Sequence, residues 1–163
     1  MLNPKLPNQL GKLAMQASQG LETCSTCTSG ACCKNNSNLE IHQAELADRR
    51  HLFLSEKYLD KTRSAIDSYN KTGLFTCPFF DEDTNRCTVY ENRFYTCATF
   101  VAITPPENCS TGKDRTVVAK SQITPLIGKN HKKLAKDLLR VQKTPKVNLI
   151  EAIQTDKILK DIL

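Results

Sequence analysis

No stretch of the sequence approaches the ~18 consecutive apolar residues that a membrane-spanning helix requires, which excludes an integral helical membrane protein. The opening residues, MLNPKLPNQLGKLAMQ, lack the continuous apolar segment of a secretory signal, so a cytoplasmic chain is the expectation. There is no internal repeat at solenoid periods, and no collagen-like or low-complexity segment. G-x-S-x-G, H-E-x-x-H, the P-loop and the dinucleotide-binding glycine fingerprint are all missing, so the common hydrolase, metalloprotease and nucleotide-binding classes have no support. What the chain does have, in 163 residues, is 39% hydrophobic and 25% charged side chains, enough to bury a core and too apolar for a wholly disordered chain. It also has eight cysteines, and they need an explanation.

Charge and cysteine divide the chain into three parts. Between Lys129 and Lys146 seven basic residues (Lys129, Lys132, Lys133, Lys136, Arg140, Lys143 and Lys146) face one acid, Asp137, which accounts for the whole net charge of +6. The cysteines all lie between positions 24 and 109. This predicts a leader helix over 1–23, a cysteine-bearing body over 24–109 and a basic helical extension over 110–163 that packs on the body. The predicted fold class is mainly α with short irregular β segments, one small domain organised around a cysteine-ligated metal centre. Apolar spacing predicts helices over 7–20, 43–53 and 55–69, the last with Gly73 as its stop. Leu39–Ile41 reads as a short extended segment, and 28–38 as a loop. Leu74–Phe80 reads as a buried strand entering a turn at Asp81–Arg86, with Cys87–Tyr90 returning antiparallel and bringing Cys87 close to Cys77. Pro105-Pro106 breaks the segment after Ile103, and two tail helices, 127–141 and 148–163, are separated by Thr144-Pro145.

The eight cysteines are Cys24, Cys27, Cys32, Cys33, Cys77, Cys87, Cys97 and Cys109. Four disulfides are one solution, but a chain of this length can build a core without them, and cytoplasmic thiols stay reduced. Clustered cysteines in a reducing compartment point instead to metal ligation or redox chemistry. Cys24-x-x-Cys27 has the bite that one metal ion or cluster accepts from a single turn of backbone. Gly30 gives the loop freedom at positive φ to fold back before Cys32-Cys33. Adjacent cysteines are awkward joint ligands for one tetrahedral ion, so one of that pair binds while the other packs, serves a second centre or does redox chemistry. Farther on, Cys77 is followed by Pro78, a residue familiar beside iron–sulfur ligands, and Cys87 and Cys97 follow at even spacing. Phe79, Phe80, Phe94, Tyr95 and Phe100 would form an apolar shell around such a centre or serve simply as core, two compatible roles.

The order C-x-x-C-x4-C-C, then Cys77-Pro78-Phe79-Phe80, then Cys87-x-Val89-Tyr90-Glu91-x-Arg93, resembles the YkgJ-type cysteine-cluster family of zinc- or iron-chelating domains. The resemblance spans roughly residues 24–100. It implies that the metal ligands fall among Cys24, Cys27, Cys32, Cys33, Cys77, Cys87 and Cys97, and it maps the family's tyrosine and arginine onto Tyr90 and Arg93. Two departures stand out: Arg93 is followed by Phe94 where the family has proline, and Cys97 by Ala98 where the family has arginine. Losing that arginine removes a cation beside a thiolate-rich centre. Zinc favours closed tetrahedra, often built from two C-x-x-C knuckles, and there is one here. An iron–sulfur cluster tolerates thiolates scattered over loops, and a flagellin lysine methylase similar to this family carries one. The expectation therefore leans to an iron–sulfur cluster, with zinc as the alternative.

For the remaining candidates the plainer role is expected. His42 is read as a surface or capping residue rather than a ligand, His51 as a solvated helix residue and His131 as part of the basic tail. Asp81-Glu82-Asp83 are read as solvated turn residues rather than catalytic acids. A redox thiol at Cys33 or Cys109 would need a neighbour that favours the thiolate, and Lys34 is the one evident beside Cys33. The basic tail is expected to be a solvated helix face with Leu134, Leu138 and Val141 packed on the body; nucleic-acid binding is the disfavoured alternative, since no aromatics are present for base stacking. Leu149, Ile150, Ile153, Ile158, Leu159, Ile162 and Leu163 form an apolar surface for docking or for a protein partner or homodimer. The function expected is thus a metal-binding protein without catalytic machinery, its metal partly structural, with electron transfer or an adaptor role as alternatives.

Overall fold

The computed structural model describes residues 30, 32–99 and 132–163. The predicted leader helix, Cys24, Cys27, Phe100, Pro105-Pro106, Cys109, His131 and the start of the first tail helix lie outside the described residues, as do the side chains of Leu134 and Leu138.

Strand β1 (Glu40–His42) leads directly into helix α1 (Gln43–Phe53). Glu45 sits in the first turn of α1 and Arg50 and His51 in the last, the charge order that complements the helix dipole. Helix α2 (Glu56–Thr72) stops where expected: Gly73 is left-handed at φ 72°, and its N–H donates to the Tyr69 carbonyl at 2.8 Å. Its buried face carries Tyr58, Thr62 and Ala65.

The predicted strand over Leu74–Phe80 does not form as one piece. Phe75 exchanges two backbone hydrogen bonds with Asn36, and the Cys77 N–H donates to the Cys33 carbonyl at 2.8 Å. Pro78 then has no N–H to extend that pairing. A two-residue hairpin follows, with β2 (Phe80–Asp81) antiparallel to β3 (Arg86–Cys87) and Phe80 opposite Cys87. Its turn is where the sequence places it, with Asn85 at φ 53° and Asp81 accepting from the Asp83 N–H at 3.0 Å. The return extends by one more bond, Thr88 N–H to the Phe79 carbonyl, before the chain turns into a short 3-10 segment, Tyr90–Asn92, and helix α3 (Tyr95–Thr99).

Helix α4 (Lys132–Gln142) is followed by strand β4 (Lys146–Asn148), which the sequence reading missed. It pairs antiparallel with β1, with Glu40 opposite Asn148 and His42 opposite Lys146. Helix α5 (Leu149–Thr155) starts on the Asn148 side chain, which accepts from the Ile150 N–H at 2.9 Å. It is shorter than the predicted helix over 148–163, because Asp156 leaves the helix at φ −69°, ψ 123° and its carboxylate accepts from the N–H groups of Ile158 and Leu159, starting a separate turn.

Ile41, Phe53, Phe75, Phe79, Phe80, Leu149, Ile150, Ile153 and Leu159 are the largest fully buried side chains. Phe79 lies at the centre of an aromatic group, with ring centroids 4.8 Å from Phe53, 5.0 Å from Tyr58 and 6.3 Å from Phe94. The apolar surface expected at the C-terminus is therefore mostly consumed by the protein's own core: Leu149, Ile150, Ile153 and Leu159 are buried, leaving Ile158 and Ile162 exposed. Val141 is likewise fully buried while Lys136, Arg140 and Lys143 are exposed, the pattern of a helix with one packed face. No helix among the described residues is long and apolar enough to cross a membrane.

Candidate metal centre

The loop that carries Cys32 and Cys33 is fastened to the hairpin that carries Cys77 and Cys87. Gly30 begins the fastening: it is left-handed at φ 59°, its carbonyl accepts from the Cys33 N–H at 2.8 Å, and a Cβ there would lie 2.3 Å from a Phe80 ring carbon. Only glycine permits both the turn and that approach. Lys34 reaches across, donating to Asn85 Oδ1 at 2.7 Å with its ammonium 4.9 Å from the Phe80 ring centre. This corrects the sequence expectation for Lys34: its charge serves the loop–hairpin contact, not a reactive Cys33.

No disulfide joins any two of Cys32, Cys33, Cys77, Cys87 and Cys97, so the described cysteines form no disulfide framework among themselves. Cys77 is buried, Cys33, Cys87 and Cys97 are half-buried and Cys32 is exposed. The five are electrostatic neighbours. The Cys33 thiol is pushed far up, first by its hydrogen bond with Cys32, then by burial and by Cys32, Cys77 and Cys97. Burial pushes Cys77 up to about 12, with Cys87 and Cys32 adding to the rise. Cys97 is raised well above the ordinary thiol value by burial, then by Cys77, Cys32 and Cys87. Burial also raises Cys87, and Cys32 adds to it. Cys32 thus lies within range of all four others.

Two backbone contacts work in the opposite direction. The Phe79 N–H donates to the Cys77 sulfur and the Val89 N–H to the Cys87 sulfur, each favouring the thiolate. An amide two residues beyond a cysteine and pointed at its sulfur is an outer hydrogen bond of the kind that orients a metal-bound thiolate. Arg93 also favours the Cys87 thiolate, while its guanidinium stacks 3.9 Å over the Tyr90 ring.

The residues fit a thiophilic metal on chemical grounds. Sulfur atoms from separated segments lie within electrostatic range of one another, two of them facing backbone amides that favour the thiolate, and ionisation is opposed mainly by burial and mutual repulsion, which a bound cation would relieve. Phe79, Phe80 and Phe94, all buried, supply the apolar surround and pack as core at the same time. Among the described residues, no three His, Cys, Asp or Glu side chains stand close enough to hold a metal ion by themselves.

The histidines are not gathered with the thiols. His42 is 3% exposed, a correction to the surface position expected. It begins α1, as a capping residue would, with its N–H on Glu45 Oε2 at 3.2 Å and its ring Nδ1 3.0 Å from the Thr144 carbonyl. His51 is exposed, as expected. Asp81 is half-exposed and Glu82 and Asp83 are exposed.

Sequence reasoning missed two charged pairs. Arg50 grips Asp156 through Nε at 3.0 and 2.8 Å and through Nη2 at 2.7 Å, tying α1 to the chain end. Glu45 and Arg49, both buried, hold the segment entering α3: Glu45 Oε1 accepts from the Tyr95 N–H at 2.6 Å, and Arg49 Nε donates to the Asn92 carbonyl at 2.8 Å. In the sequence the pair is only an i, i+4 acid and base on a helix of low apolar periodicity, which reads equally well as a solvated face.

Comparison with known proteins adds the following. Residues 23–124 match the family CxxCxxCC, described as "Putative zinc- or iron-chelating domain". A stretch of 60 residues, 37% of the chain, is 40% identical to a serine protease inhibitor of Mus musculus and spans 14% of that protein, so this likeness is local. No solved structure matches the chain.

Proposed function

Since this chain belongs to the CxxCxxCC family of zinc- or iron-chelating domains, we propose that it holds a metal centre through thiolates from two separated segments, 24–33 and 77–97. The observation that supports this reading best is that Cys32 interacts electrostatically with each of Cys33, Cys77, Cys87 and Cys97, with backbone amides donating to the sulfurs of Cys77 and Cys87. Cys24 and Cys27 complete the candidate set from the chain just before Gly30. A bound centre would supply the positive charge that lets crowded thiols ionise. It would also cross-link segments more than forty residues apart, so part of its binding free energy is folding free energy.

Scattered loop ligands and a single C-x-x-C favour an iron–sulfur cluster over a zinc knuckle, and a buried aromatic surround suits one. On this reading the centre is at least partly structural, and electron transfer is the activity it would add. Purification without oxygen tests the assignment. A brown protein whose visible absorption is bleached by dithionite is the expected result; a colourless protein with stoichiometric zinc would replace the cluster with a structural zinc site. A colourless protein containing neither metal would overturn the proposal.

A further inference from the structure

We propose that Glu45 and Arg49 of α1 are positioning residues that set the place of Cys97 in the thiolate centre. The inference deepens the metal-binding reading above and rests on it. The chain from Asn92 to Tyr95 approaches α3 with its polar backbone groups taken up by this pair. Arg49 donates through Nε to the Asn92 carbonyl at 2.8 Å and through Nη2 to the Arg93 carbonyl at 3.3 Å, with its guanidinium 5.2 Å from the centre of the Phe94 ring. Glu45 Oε1 receives the Tyr95 N–H at 2.6 Å, while its other oxygen receives the His42 N–H at 3.2 Å. Carbonyls on one side and an amide on the other are thus fixed to one rigid helix. Cys97 follows two residues later, in the first turn of α3.

The two partners are bound to each other as well, with Arg49 Nη1 donating to the Glu45 carbonyl at 3.2 Å and lying 3.9 Å from Glu45 Oε1. Glu45 is 1% exposed and Arg49 9%. Burial of such a pair costs desolvation that its attraction recovers only partly, and apolar residues of similar size are often as stabilising or more so. A paired charge is therefore a poor device for stability alone, and a good one for fixing the geometry of a short segment. A five-residue helix cannot fix its own position by cooperativity. Without the clamp, the only described cysteine beyond the hairpin would sit on a loosely held turn.

Cobalt(II) added to the metal-free full-length chain tests this, because the thiolate-to-cobalt charge-transfer band reports how many sulfurs bind. Glu45→Ala is expected to weaken cobalt binding by about 10–100-fold, the usual cost of losing an outer-shell partner, and to remove one thiolate's share of the band. Glu45→Gln keeps an acceptor for the Tyr95 N–H and is expected to restore most of both. Asp156→Asn, which removes a clamp elsewhere on α1, should leave the band at full height. Should Glu45→Ala not fold, Arg49→Lys carries the same test, since one ammonium cannot span the two carbonyls. Full wild-type intensity in the Glu45→Ala or, failing that, Arg49→Lys chain would overturn the proposal, as would an equal loss in Asp156→Asn. A wild-type chain giving no thiolate band with cobalt and no cluster absorption after anaerobic reconstitution with iron and sulfide would instead sink the metal reading on which it rests.

Discussion

The two ends of the described fold are held together in different ways. Around β1, β4 and α5 the chain is closed by three registered residue pairs and by Ile41, Leu149, Ile150, Ile153 and Leu159, all with no exposed surface. Around the Gly30–Cys33 turn, Asn36, the β2–β3 hairpin and α3, the pairing consists of single bridges and a two-residue ladder. There the side chains that converge are thiols and a few aromatics. The first region carries its own cohesion in apolar burial; the second places sulfur where a hydrophobic protein would place leucine. The contrast teaches that, on the proposed metal reading, the thiol region would be completed by what it binds, with the C-terminal region as the platform beside it.

Removing the metal should break the comparison most visibly. Chelation at a metal level a thousandfold above the dissociation constant would withdraw about 4 kcal/mol of linkage stabilisation. Amide hydrogen exchange should then accelerate through 32–36 and 75–88 while the β1–β4 amides stay protected. Equal acceleration in both regions would erase the distinction. Gly30→Ala is expected to cost about 2–4 kcal/mol, from the left-handed backbone and the displaced Phe80 ring together, and to lower metal content, as read by denaturant melts and metal analysis. In the platform region, Asp156→Asn should cost about 1–2 kcal/mol at neutral pH without affecting metal content. Burial alone would raise the Asp156 carboxyl, but hydrogen bonds from Arg50 and from the Leu159 and Ile158 N–H groups outweigh it and hold it below its ordinary value of 3.8. Its contribution is therefore present above that value and lost as pH falls below it, so wild type and variant should converge in acid melts.

The helical elements near the thiols were legible because local signals decide them. Helix α1 has the bounds that its spacing predicts, and Gly73 stops α2 because its backbone must turn left-handed there. The turn at Asp81–Arg86 was legible for the same local reason. Strand β4 was not: three residues of Lys146–Asn148 become a strand only because Glu40–His42, a hundred residues earlier, offers a partner. The break of the last helix at Asp156 rests on a local turn that Asp156 makes with Ile158 and Leu159, and the same carboxylate is also held by a distant residue, Arg50. Among the candidate site residues, the nearness of Cys77 and Cys87 followed from the turn between them. The role of Lys34 could not be read, because Asn85 and Phe80 compete for its charge across the fold. Glu45 and Arg49 were invisible for a related reason: charges on a short helix read as solvent-facing until the chain that covers them is in place.

The most direct test of the central claim is metal stoichiometry on anaerobically purified protein, compared between wild type, Cys24→Ser and Cys77→Ser. Ligands drawn from both segments predict that each substitution lowers metal content and folded yield together. Unchanged metal in both variants would show that these sulfurs hold nothing, and would contradict the account.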